Sequence, residues 1–184
     1  ISLGLVGSEM CIRDSFTIYR NGTKLATVPK DQTWYNVTGL SEGVWNISVI
    51  ATDASGDTAM DHVYVYIDFT SPTVTITSPA NDTYVNTQNV TIGWTGSDNL
   101  SGIDYYLVRC YNSTWDSDWI NVGTNTSYIF TNLIDGQYTA EVKAYDKAGN
   151  QAKDTVTFIV DTHPPSVTIS SPSNDSWHDS NSID

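Results

Sequence analysis

The chain repeats itself with a period of 93 residues. Residues 40–56 and 133–149 align without a gap, and leucine, glycine, aromatic, alanine and aspartate residues fall at matching places. The match continues downstream, where Asp68 and Pro72 correspond to Asp161 and Pro165. A fixed repeat constrains the fold because each unit must be one small domain, and ~90 residues lies within the usual domain size. The sequence therefore predicts one whole repeat between two incomplete ones.

The repeat unit is predicted to consist of strands. In the stretch 137–145 the apolar residues Tyr138, Ala140, Val142 and Ala144 alternate with polar ones, which indicates a half-buried strand. Seven strands are predicted for the whole repeat, at residues 73–77, 89–95, 103–110, 119–122, 127–131, 137–145 and 155–160. With turn residues between them and no helical periodicity, they predict an all-β sandwich.

The inward-facing residues are expected to form one core. The predicted set is Val74, Ile76, Val90, Ile92, Trp94, Tyr138, Ala140, Val142, Ala144, Val156, Phe158 and Val160. Both parities of 103–110 carry large apolar residues, so the pattern leaves open which of them faces inward.

The repeat sets the domain boundaries. Residues 16–67 are the C-terminal part of a first domain whose first two strands are absent, and 68–71 are a linker. Residues 72–160 are the complete domain, 161–164 a second linker, and 165–184 the start of a third repeat whose strand has no sheet to join. Residues 1–15 match nothing in the repeat and resemble a translated sequencing-adapter tail of metagenomic gene fragments. The alternative for this segment is a native strand that enters the first domain.

Charge and cysteine content exclude several classes of protein. Eight basic against 21 acidic residues give a net charge of −13, which argues against nucleic-acid binding because that needs a basic face. Two cysteines, Cys11 and Cys110, are too few for a disulfide framework. No run of about 18 apolar residues is present, so no membrane span is expected in this fragment.

Three motifs suggest a family. A Pro-Thr-Val-Thr-Ile stretch begins at Pro72 after an aspartate-containing linker, and Gly-Ile-Asp-Tyr-Tyr and Tyr-Asp-Lys-Ala-Gly-Asn follow. Together they resemble tandem immunoglobulin-like or fibronectin type III-like repeats of prokaryotic surface and secreted proteins. The resemblance implies a complete immunoglobulin-like sandwich of about seven strands, flanked by two truncated repeats. It also implies a tyrosine corner at Tyr138; the first repeat has Trp45 there, which lacks a hydroxyl, so no such bond is expected.

Acidic residues are predicted to gather where consecutive domains meet. Glu42, Asp68, Asp98, Asp104 and Asp146 lie in loops that this topology brings towards one end. Carboxylate and carbonyl oxygens suit Ca²⁺, which takes six to eight oxygen ligands. They are therefore candidates for an inter-domain calcium site. The alternative is an ordinary acidic surface, because aspartate favours turns without any ion.

Sequons and tryptophans give two further candidate surfaces. Nine Asn-x-Ser/Thr sequons are N-glycosylation candidates only in an exported chain: Asn21, Asn36, Asn46, Asn81, Asn89, Asn99, Asn112, Asn125 and Asn174. The alternative is chance, since threonine suits strands and asparagine suits turns. Trp115 and Trp119 flank a hairpin and could stack on sugar, or they could cover the sandwich edge.

No catalytic motif is found, and the three histidines stand apart in the sequence. The predicted function is a non-catalytic spacer, stalk or adhesive unit of a cell-surface protein. Its partners would be neighbouring repeats of the same chain, and cell-surface glycans or proteins. The alternative is a carbohydrate-binding or spacer domain appended to a secreted hydrolase.

Overall fold

The computed structural model describes residues 2–4, 13–171, 174, 175, 177 and 179. All regular structure in this part of the chain is β-strand. The first domain contains β1 (Ser2–Gly4), β2 (Arg13–Arg20), β3 (Thr23–Pro29), β4 (Trp34–Asn36), β5 (Gly43–Asp53) and β6 (Thr58–Ile67). The second contains β7 (Thr73–Ser78), β8 (Thr83–Val85), β9 (Val90–Ser97), β10 (Ile103–Tyr111), β11 (Ile120–Gly123), β12 (Ser127–Phe130), β13 (Gly136–Asp146) and β14 (Gln151–Val160).

The second domain is a two-sheet sandwich. One sheet has the order β11-β10-β13-β14-β8 and the other has the order β12-β9-β7. Every pair is antiparallel except β8 with β14, which run parallel. All seven predicted strands are confirmed, and the eighth, β8, was not predicted because three residues are too few to show periodicity.

The predicted core of this domain is confirmed, with Val74 partly buried at its edge. Tyr106, Val108 and Cys110 join it and settle which parity of β10 faces inward. Tyr106 and Cys110 lie opposite Ala144 and Ala140 of β13, and these small side chains leave room for them. The buried residues are Ile76, Val90, Ile92, Trp94, Tyr106, Val108, Cys110, Phe130, Leu133, Tyr138, Ala140, Val142, Ala144, Val156, Phe158 and Val160.

The first domain has one four-stranded sheet, ordered β3-β2-β5-β6, and a small core around Ile18 and Ile47. The short strands β1 and β4 pair to form its second layer. This pair corresponds to the pair of β9 and β12 in the second domain. Two expectations therefore differ from the structure. β2 begins at Arg13 rather than at residue 16, and residues 2–4 take the place of one of the two strands expected to be absent.

The last described residues form no strand. Residues 161–170 have no regular structure, and Val167 and Ile169 are 93% and 80% exposed. Their counterparts one repeat earlier, Val74 and Ile76, lie in β7 and pack on the core of the second domain. That residues 165–184 are the start of a third repeat stays a prediction.

Both domains have a corner bond between the loop before the long strand and an aromatic side chain in that strand. Tyr138 Oη donates to the carbonyl oxygen of Ile134 at 3.1 Å, which is the tyrosine corner. In the first domain Trp45 Nε1 donates to the carbonyl oxygen of Ser41 at 2.9 Å. The expectation that Trp45 would leave this bond unmade is therefore wrong, because the indole N–H reaches the same acceptor position as the phenol.

Candidate functional site

The linker after β6 is bonded first to its own domain. Glu42 stands in the loop before β5, and its Oε1 accepts the backbone N–H of Phe69 at 2.7 Å and the hydroxyl of Thr70 at 2.8 Å. Asp68 Oδ1 accepts the N–H of Thr70 at 3.0 Å, which closes a tight turn. Three acceptor bonds therefore fix the direction in which the linker leaves the first domain.

The same linker is bonded to the second domain through Asp68. Its Oδ2 accepts the backbone N–H of Ser101 at 3.1 Å, and its carbonyl oxygen accepts Nδ2 of Asn150 at 3.2 Å. Asp68 is only 8% exposed, so both contacts lie in a seam largely closed to water. A hydrogen bond to a charged group such as this carboxylate contributes about 1.5–3 kcal/mol, and one to a neutral backbone carbonyl about 0.5–1.5 kcal/mol, so Asp68 ties the linker to the second domain.

Three carboxylates converge at this seam. One oxygen each of Asp68, Asp98 and Asp146 lie within 4.8 Å of one another. Asp146 is 2% exposed, and Asn150 donates to both its oxygens, by its backbone N–H at 2.8 Å and its side-chain amide at 2.9 Å. Asp98 Oδ2 accepts the N–H of Gly102 at 2.8 Å, and this bond holds the pKa of Asp98 below its ordinary value.

The five acidic residues predicted for the junction thus have different positions. Asp68, Asp98 and Asp146 are brought together, and Glu42 lies at the same linker but is bonded to its backbone and to Thr70. Asp104 is exposed on β10 and is not a member of the group. The sequence pattern predicted which loops lie at the domain junction, but it could not show that the side chain of Asp104 on β10 faces solvent.

The linker after the second domain repeats this arrangement. Asp135 corresponds to Glu42 and accepts the N–H of Thr162 at 3.1 Å and its hydroxyl at 2.8 Å. Asp161 Oδ1 accepts the N–H of His163 at 3.1 Å, as Asp68 accepts that of Thr70. His163 Nδ1 also contacts Asp135. The bonds from Thr162 lower the pKa of Asp135, with a smaller contribution from His163.

The sequence reading overlooked Asn150, Asp135 and His163. In the sequence Asn150 is only the last residue of the Tyr-Asp-Lys-Ala-Gly-Asn motif, yet it donates hydrogen bonds to the linker and to a buried carboxylate. Asp135 and His163 could have been found from the repeat itself, since they stand 93 residues after Glu42 and Thr70. That offset was the available signal.

The sequon asparagines within the described residues lie mostly in turns and strand ends. Four of them accept a backbone N–H through Oδ1. Asn81 accepts that of Thr157 and Asn112 that of Trp115, both at 2.8 Å, and the other two are Asn21 and Asn89. Glycosylation of all nine sites stays a prediction.

The two tryptophans proposed for sugar stacking are both engaged within the domain. Trp115 lies edge-on against Tyr138 at 6.1 Å between ring centroids and is 41% exposed. Trp119 has the ammonium of Lys143 4.4 Å from its ring centroid and the guanidinium of Arg109 at 5.8 Å. Sugar stacking stays a prediction, and on Trp119 it would compete with these cations.

Comparison with known proteins agrees with this architecture. A family model described as bacterial Ig-like domain (group 3) matches residues 30–105, and one described as Y_Y_Y domain matches residues 113–161. Among solved structures, the fibronectin(III)-like modules of Clostridium thermocellum CbhA superpose with a TM-score of 0.50 at 19% identity, covering 84% of this chain and 82% of that one. The chain is therefore built of immunoglobulin-like, fibronectin III-like β-sandwich repeats, and the resemblance drawn from its motifs is confirmed.

Two more proteins are similar over much of the chain. A Kelch domain-containing protein of Sulfurisphaera tokodaii is 31% identical over 130 residues, which are 69% of this chain but only 17% of that protein. A 1.5-MDa bacterial ice-binding adhesin gives a TM-score of 0.43 at 20% identity, covering 88% of this chain and 57% of the solved one. Within the described residues, no helix is long and apolar enough to cross a membrane.

Proposed function

We propose that this chain is a non-catalytic spacer: a run of immunoglobulin-like domains in a cell-surface or secreted protein, joined by linkers that fix the angle between neighbours. The observation that carries the proposal is the repeated linker bonding. At both linkers an acidic residue of the preceding loop accepts the linker backbone, and an aspartate closes the following turn. A flexible tether has no need of such bonds.

The linker's length supports a stiff joint. Only residues 68–72 separate β6 from β7, and within them Asp68 contacts both domains. A short linker whose polar groups are hydrogen-bonded has few alternative conformations. Glycine- and serine-rich linkers without such bonds behave as random coils. The proposed role, to hold a functional unit at a set distance, requires this stiffness.

Small-angle X-ray scattering of the full chain tests the spacer proposal. We expect an elongated particle in buffer containing millimolar calcium, and a broader distance distribution for Glu42→Ala, which removes the acceptor for Phe69 and Thr70. Asp31→Ala, at an exposed turn residue away from the junction, is the matched control. A wild-type distribution as broad as that of Glu42→Ala would contradict the proposal.

We further propose that Ca²⁺ binds at the first junction. The three carboxylates of Asp68, Asp98 and Asp146 fit a hard cation, and two of them are nearly buried. Like charges this close repel, and a divalent cation would turn that repulsion into attraction. Water would have to supply the remaining ligands, since calcium takes six to eight oxygens.

Isothermal titration of the full chain with CaCl₂ after chelation tests the metal proposal. We expect one binding event that Asp98→Asn weakens at least tenfold. Asp104→Asn, at an exposed acidic residue of the adjoining strand β10 outside the group, should leave it unchanged. Amide shifts of Ser101, Gly102 and Asn150 should follow the same isotherm. No heat in the wild type, or equal weakening by both substitutions, would exclude this site.

A further inference from the structure

The solvent-facing side of the larger sheet in the second domain carries three positive charges. Three of the four basic residues between 72 and 160 are Arg109 of β10, Lys143 of β13 and Lys153 of β14. The chain neighbours of Arg109 and Lys143 are buried in the core, so the alternation of a strand directs these two side chains to solvent. Lys153 lies directly opposite Lys143 and shares its side of the sheet. We call these three residues the cationic face.

Acidic side chains neutralise only part of the cationic face. Asp116 accepts a hydrogen bond from Nε of Arg109 at 3.0 Å, and Glu141 accepts one from Nζ of Lys153 at 2.8 Å. Lys143 forms no ion pair with any residue that the structure describes. One positive charge therefore remains in excess on this face, although the chain as a whole has a net charge of −13.

The excess charge stands against another positive charge. Lys143 is the cross-strand partner of Lys153, and like charges directly opposite each other destabilise a sheet. The residues 93 positions earlier in the first domain are Ile50 and Met60, which are also cross-strand partners and carry no charge. The second domain thus keeps an unfavourable pair where the first has an apolar one. Such departures from a stable pattern are expected at functional sites.

Aromatic rings hold two of these cations in place. The ammonium of Lys143 lies 4.4 Å from the ring centroid of Trp119. The guanidinium of Arg109 lies 4.4 Å from the ring centroid of Tyr111 and 5.8 Å from that of Trp119. Cation–π contacts attract a cation to the ring but do not neutralise it. The charge of Lys143 is therefore positioned and still available to an anion.

We propose that the cationic face binds an acidic polysaccharide, with a sugar carboxylate bound by Nζ of Lys143. Charge complementarity selects an anion, because a carboxylate would offset the repulsion between Lys143 and Lys153. A polymer with no more than one carboxylate on each sugar suits a site with one charge in excess. Nucleic acid carries a charge on every phosphate and is repelled by the acidic remainder of the chain.

The surroundings of the cationic face suit a sugar better than an acidic peptide. Thr155 is the cross-strand partner of Glu141, so its hydroxyl lies on the same side of the sheet. Thr139 lies on this side too, opposite Tyr111. Hydroxyl groups beside aromatic rings can bind both the hydroxyls and the apolar faces of sugar rings. This binding role is additional to that of a spacer and does not depend on the linker bonds.

Isothermal titration of the full chain with polygalacturonate, in low-salt buffer containing chelator, tests the proposal. The fully methyl-esterified polymer has the same backbone without the charges and is the control ligand. We expect only the acidic polymer to bind, with an affinity that falls as salt screens the charges. Lys143→Gln should weaken binding at least tenfold. Lys24→Gln removes an exposed cation of β3 in the first domain and should leave binding unchanged.

Amide shifts and a second anionic polymer identify the occupant. We expect polygalacturonate to shift amides of β10, β13 and β14 and to leave those of β5 and β6 unchanged. Failure of the acidic polymer to bind overturns the proposal, and so does equal binding of the ester or equal weakening by Lys24→Gln. Oligoglutamate that binds as tightly as polygalacturonate would make an acidic peptide the occupant and overturn the polysaccharide. None of these results bears on the spacer proposal, which scattering tests separately.

Discussion

The indole N–H of Trp45 donates a 2.9 Å hydrogen bond to the carbonyl oxygen of Ser41. The two residues stand where Tyr138 and Ile134 form the tyrosine corner of the next repeat. Both corners need a hydrogen-bond donor at the tip of a large aromatic ring, which is buried for Tyr138 and partly buried for Trp45, and either a phenol or an indole provides it. The corner therefore fixes the loop that carries Glu42 in the first domain and Asp135 in the second, which are the residues that hold the two linkers.

Removing the corner hydroxyl should cost the second domain a modest amount of stability. We expect Tyr138→Phe to lower the free energy of unfolding by about 1 kcal/mol, because one hydrogen bond is lost while the ring stays packed 5.8 Å from Phe158. Tyr84→Phe, whose side chain is exposed, is the control and should change it by less than about 0.5 kcal/mol. Urea denaturation measures both. Equal, negligible effects would mean that the corner bond does not stabilise the fold.

The thiol of Cys110 should be unreactive in the folded protein. Cys110 is completely buried in the core, and burial raises its pKa to about 12, so almost no thiolate exists at pH 8. In a Cys11→Ser background, we expect negligible modification by a thiol reagent under native conditions and complete modification in urea. Rapid labelling of the native protein would show that this part of the core opens readily.

The ion pair of Arg109 with Asp116 should make a small contribution to stability that acid removes. Arg109 Nε and Nη2 contact the two carboxylate oxygens at 3.0 and 2.5 Å and hold the pKa of Asp116 below its ordinary value. A carboxyl whose pKa is lowered by folding stabilises the protein above the unfolded-state pKa, near 3.8, and the effect is lost as pH falls through the lower folded-state pKa.

Melting temperatures of wild type and Asp116→Asn, measured from pH 7 to pH 2, test the direction of this pH dependence. The variant should melt at a slightly lower temperature than wild type near neutral pH, and this difference should shrink in the acid range. Asp31→Asn, at an exposed turn, should show no such trend. A deficit that grows on acidification would mean that the pair is not the source of the effect.

Much of the fold could be predicted because the strands of the second domain alternate so regularly. The buried faces of β9, β13 and β14 were correct residue by residue, since a period of two leaves only one inward set. The strand β8 could not be predicted because its three residues are held by parallel pairing to β14, a contact that no local sequence pattern reveals.

The candidate site was predictable only in part. The predicted sandwich topology brought the loops of Asp68, Asp98 and Asp146 to one seam, because topology alone decides which loops share an end. Three features of the site depend on the directions of side chains. They are the hydrogen bonds of Asn150, the outward direction of Asp104 and the contact of Lys143 with the ring of Trp119. Those directions are set by register and neighbours, which a sequence pattern does not contain.

The central claim is that the linker bonds hold two successive domains at a fixed angle. ¹⁵N relaxation of the full chain, in millimolar calcium, tests it most directly because it reports how each domain tumbles. We expect the amides of β5 and β6 and those of β13 and β14 to fit one common, elongated rotational diffusion tensor. Separate fits with a shorter correlation time for each domain would show independent tumbling and would contradict the claim.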